Sequence, residues 1–206
     1  MKKYIYLIMA IPFIFCSCSN SKSDNSAEVP TQTPNTHSGK YYTLEYDSSE
    51  IPDELAKTIE KYFHSIETEN YDDYISVLYD DYISSMTDYL KKQGQDEDLH
   101  TVLGEMSNAL QYYSGENSTE SSGKKTYTLT GITLSKGLDD DRSAHISHYR
   151  STLGDDFANK IENDCDESYD IYFTLRGKTD SGDEGIMLEN NELMAVKSNG
   201  NYFVLG

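Results

Sequence analysis

His145 and His148 stand three residues apart, with Asp141 four positions before the first. On a helix these three share one face, and imidazoles beside a carboxylate are zinc ligands when a full set converges. The set here is incomplete, so no metal is expected. The acidic runs DDDR at 139–142 and DSGDE at 180–184 offer oxygen ligands for calcium. Neither has the EF-hand spacing, and solvated loops are the expected outcome. Cys165 lies between Asp164 and Asp166, neighbours that oppose a thiolate and its use as a nucleophile. A Gly-rich phosphate loop, a Gly-x-Ser-x-Gly elbow and a His-Glu-x-x-His pair are all missing. Motifs therefore assign no catalytic residue, no metal and no cofactor.

The 206 residues hold 17 basic and 36 acidic side chains, a net charge of −19. Nucleic acid is excluded as a partner, because binding a phosphate backbone needs clustered Lys and Arg. With 18 Tyr, 6 Phe and no Trp, tyrosine carries the large apolar surface.

The chain opens MKKYIYLIMAIPFIFCSCSN. Lys2 and Lys3 precede an uncharged apolar run from Ile5 to Phe15, the pattern of a signal peptide. That run is too short for an ordinary membrane span. It ends in Phe15-Cys16-Ser17-Cys18, which resembles the lipobox of bacterial lipoproteins, where a small residue precedes the cysteine that is diacylated. Ser17 is small and Phe15 is bulky, so the resemblance points to Cys18 rather than Cys16. Residues 1–17 are then a signal peptide, and Cys18 carries the lipid. Two acyl chains suffice for stable anchoring on the extracytoplasmic side of a bacterial membrane. Residues 19–40 contain only Ala27 and Val29 as aliphatic side chains and are predicted to stay disordered. Such a 22-residue coil spans about 26 Å.

Residues 41–206 read as one domain. Pro52 opens a helix whose stripe is Leu55, Ile59, Tyr62, Phe63 and Ile66. Tyr71, Tyr74, Ile75, Leu78 and Tyr82 predict a second helix, with further turns over 85–92. Asp96 caps a third, along Leu99, Val102, Leu103, Met106, Leu110 and Tyr113. Ser114 to Gly123 reads as a loop. The period then changes. Residues 125–136 have a β composition, and Gly131 marks a bulge or a close backbone approach. Residues 140–163 read as helical or irregular. Tyr169, Ile171, Phe173 and Leu175 alternate with Asp170, Tyr172, Thr174 and Arg176, the cleanest strand pattern in the chain. Another strand over 184–197, interrupted at Asn190-Asn191, leads through the Asn199-Gly200 turn to a closing strand. Helices followed by hairpin-linked strands predict α+β, with helices packed on a curved, mostly antiparallel sheet.

Two stretches, IPDELAKTIEKYFHSIETENYDDYISVLYDDYI and ELMAVKSNGNYFVLG, resemble the nuclear transport factor 2-like superfamily, which includes ketosteroid-isomerase-like proteins. The resemblance implies a cone in which the sheet wraps a helix around a pocket. It also implies inward ligand-binding positions at Tyr62, Tyr74, Asp170, Tyr172 and Arg176. Members are enzymes, small-molecule binders or protein-binding modules. The expected function is a lipid-anchored module binding a small molecule or an envelope protein. The alternatives are a small enzyme using an Asp/Tyr site in the cone, and a structural envelope component. Without a ligand, the tyrosines would be packing, and Asp170 would pair with Arg176 on a solvated face.

Overall fold

The computed structural model describes residues 35–94, 98–111, 127–137 and 139–206. Cys18, the signal segment, Asp96, Tyr113 and the 114–123 loop lie outside them, as do the side chains of 139–142. The fold is α+β. Strands β1 (Asn35–Ser38) and β2 (Thr43–Tyr46) precede helices α1 (Asp53–Glu67), α2 (Tyr71–Val77), α3 (Asp80–Lys92) and α4 (Leu99–Gln111). Strand β3 (Tyr127–Lys136), helices α5 (Asp139–Leu153) and α6 (Asp155–Asn163), and strands β4 (Glu167–Thr179), β5 (Glu184–Ser198) and β6 (Asn201–Leu205) follow. The sheet runs β1-β2-β3-β4-β5-β6, antiparallel except where β2 runs parallel to β3. Among the described residues no helix is long and apolar enough to cross a membrane.

Helix α1 buries the predicted stripe, and Phe63 meets Phe173 of β4 at 4.8 Å between ring centroids. Ile171 and Leu175 share that face of β4 and are fully buried. On β5, Leu193, Met194, Ala195 and Val196 are buried in succession, so that stretch is covered on both faces. The register shifts between Leu129 and Gly131, as the glycine predicts. The Asn199-Gly200 turn places both residues at positive φ (51° and 77°), the geometry of a two-residue hairpin. Asn190, at φ 52°, distorts β5 where the sequence interrupts its pattern.

Three expectations need correction. The spacer was expected to run to residue 40, yet β1 begins at Asn35 and pairs Asn35 to Ser38 with Tyr46 to Thr43. Four polar residues form a strand here because they add to a β2 whose Leu44 and Tyr46 are already buried. The second helix is not continuous. Leu78 turns extended (φ −86°, ψ 149°) and bridges Val204 of β6, so α2 ends and α3 restarts at Asp80. The described cap of α4 is Asp98, whose Oδ1 accepts the Thr101 N–H at 2.9 Å.

Candidate functional site

The five positions named by the resemblance do not converge on one place. Tyr62 and Tyr74 are buried and stacked, 5.9 Å between centroids, and fill the interior rather than line an opening. Arg176 sits at the other end of β4 and pairs with Glu45 at 2.8 Å, not with Asp170. Tyr172 is half-buried and lies across the ladder from Glu192.

Asp170 alternates away from the α1 face of β4, and α5 covers it. The His145 ring lies between two carboxylates: Nδ1 is 2.6 Å from Asp170 Oδ1, and Nε2 is 3.4 Å from Glu192 Oε2. Both the His145 and Asp170 side chains are only 5 % exposed. A neutral imidazole has one N–H and one acceptor nitrogen, so which nitrogen donates depends on the tautomer. Helix α5 has little apolar surface of its own, and the Tyr149 hydroxyl adds a bond to the Leu205 carbonyl at 2.9 Å. His148 does not join this row, and its Nε2 is buried without a hydrogen-bond partner. Of the two histidines His145 alone meets the carboxylates, and among the described residues no cluster could hold a metal ion.

Around this row the interior is phenolic. Burial pushes the Tyr62, Tyr74, Tyr82 and Tyr149 hydroxyls well above the usual tyrosine value. Tyr46, whose hydroxyl donates to Asp53, is pushed up to about 12, mainly by burial. A phenol raised in the folded state contributes its full stability below the unfolded value of about 10 and loses it as pH rises through the folded value. Stability should therefore fall above about pH 10. Phenolate absorbance at 295 nm should rise cooperatively with loss of helical circular dichroism. A gradual rise ahead of unfolding would show that these hydroxyls reach solvent.

An open groove of about 750 Å³ lies elsewhere, between the β1–β2 hairpin and α1. Thr36, His37, Ser38, Lys40 and Tyr41 form one wall; Asp53, Lys57 and Lys61 of α1, with Asp73 of α2, form the other. The hairpin turn is held by Glu60, which is 2 % exposed. Its Oε1 accepts the Tyr41 and Tyr42 N–H groups at 2.6 and 2.9 Å, and Oε2 accepts that of Lys40 at 3.1 Å. A side chain at Gly39 would run into the Tyr42 carbonyl, 2.6 Å away. Tyr41 stacks on His64 at 3.6 Å, and His37 on Tyr46 at 4.2 Å. Across the groove Lys61 pairs with Asp73 at 2.9 Å, and Lys57 with Glu54 at 2.7 Å. The sequence reading missed this site. Its one available signal was Glu60, which lies between Ala56 and Phe63 at helical spacing on a face that has to be buried.

No protein-family model, curated protein or solved structure matches this chain.

Proposed function

We propose that this protein is a bacterial envelope lipoprotein, anchored at Cys18, whose α+β domain is a binding module rather than an enzyme. The observation that carries the binding part is the groove between the β1–β2 hairpin and α1. It is open, its lining mixes charged side chains with apolar surface, and it is built on a turn pinned by a buried carboxylate. The interior that a cone enzyme would use is packed with Tyr62, Tyr74 and Phe63 instead. The anchor rests on the order of positive start, apolar run and Ser17-Cys18. The groove begins at Thr36, so by chain connection it is the part of the domain nearest that cysteine. The nuclear transport factor 2-like reading is supported by the α1–α2 pair packed against a bent, mostly antiparallel sheet.

Labelled palmitate should enter the wild-type chain in a bacterial host and be lost with Cys18→Ala. Label that survives that substitution overturns the anchor. Native mass spectrometry of the detergent-solubilised full chain, after exposure to an extract of its own cells, reads the binding. A bound mass that leaves on denaturation is expected; its absence overturns the binding reading.

A further inference from the structure

We propose that the groove takes an extended, basic peptide segment, which adds to the sheet as a strand beyond β1; this rests on the binding-module reading above. β1 is the first strand of the sheet, and no strand lies outside it among the described residues. Gly39 N–H donates to the Tyr42 carbonyl at 3.0 Å, which makes 39 and 42 a bonded pair of the hairpin. Bonded pairs alternate along an antiparallel ladder, so His37 and Asn35 face Leu44 and Tyr46, while Thr36 and Ser38 turn their N–H and C=O groups outward. Both residues are exposed, and both line the groove. An edge so placed is the template for strand addition: main-chain bonds give affinity, and the facing wall reads alternate side chains.

That facing wall is α1. Lys57 is paired to Glu54 and Lys61 to Asp73, which leaves the Asp53 carboxylate as a net negative charge on the wall. The field that a ligand meets is then that of the whole chain, at −19, which draws a cationic segment and repels an acidic one. It also repels a second copy of this chain, the other natural occupant of an open strand edge. Both Tyr41 faces are taken, by His64 and by the Lys40 ammonium 4.6 Å from the ring centroid. The groove therefore lacks the free aromatic platform that a sugar would use.

The test is titration of the full-length protein in detergent with the octapeptide Lys-Thr-Lys-Val-Thr-Val-Lys-Thr. Two controls accompany it: the same peptide with alternate amides N-methylated, and a version with Glu for each Lys. The Lys peptide should bind with an affinity that falls as salt rises. The N-methylated and Glu peptides should each bind at least tenfold more weakly. Thr36→Pro removes an outward N–H and leaves the β1–β2 bonds in place, since an edge strand tolerates proline on its open side. It should weaken the Lys peptide at least tenfold without changing the melting temperature. If the variant unfolds, the N-methylated peptide gives the same answer with the protein unaltered. Equal binding by Thr36→Pro or by the N-methylated peptide overturns strand addition. Equal binding by the Glu peptide overturns the charge preference. No binding by the wild type overturns the inference as a whole, while the bound mass sought from the cell extract judges the binding module separately.

Discussion

Replacing Asp170 by alanine is expected to cost about 1–3 kcal/mol, the usual effect of leaving a buried polar group without its partner. Among the described contacts, His145, 5 % exposed, would keep the Glu192 carboxylate 3.4 Å away. The loss should be concentrated in α5, which brings little apolar surface to its contact with β4. Urea unfolding measures the total, and amide exchange should show α5 losing protection ahead of β3 and β4. Asp170→Asn keeps an oxygen for the His145 N–H and should recover a large part of the loss. An Asp170→Ala protein within about 0.5 kcal/mol of wild type, the range of ordinary surface substitutions, would mean that α5 is held by something else.

Glu60→Ala is the second large effect. It removes the acceptor of three backbone N–H groups at once. A buried donor left unmet costs about 1–3 kcal/mol. Water can reach Lys40, so about 2–4 kcal/mol is expected rather than three full penalties. The hairpin amides from 39 to 46 should exchange faster while the β4–β5 ladder stays protected. Glu60→Gln retains one oxygen and should fall between the two. Unchanged exchange in the hairpin would show that the turn holds itself.

These two residues also mark where the sequence stopped being readable. Stripes and alternations were plain wherever one element buries one face: Leu55 to Ile66 in α1, Ile171 to Leu175 in β4, and the Asn199-Gly200 turn. Each of those signals is local. The strand at 35–38 carries no such signal, because it exists through its ladder with β2 and through a carboxylate some twenty residues away. The break at Leu78 is equally silent: the apolar period runs on through it, and the chain departs only because Val204 offers a bridge. Asp170 was singled out as an inward acid, yet it lies on the face of β4 away from α1, against His145 of α5. Its partner was not named with it, because Ile146, Tyr149 and Leu153 mark the side of α5 that packs on the core and a polar His145 beside them gives no sign of what it meets. The groove was missed for the same reason. Its walls come from a hairpin and two helices, and charged residues on a helix face read as solvated until the opposing wall is known.

The parallel pairing of β2 with β3 sets the order in which the molecule completes itself. Glu45 and its partner Thr133 are 88 residues apart, and helices α1 to α4 lie between them. Closing so long a loop is slow, since its entropy is lost before the contacts repay it. A chain delivered from its N-terminus presents β1 and β2 first, yet β2 gains its second neighbour only after the four helices and β3 have followed. Strand β2 is thus among the first to emerge and among the last to be secured. Groove binding would then report a finished fold, and a chain caught midway would expose the β2 edge of the hairpin that β3 later covers.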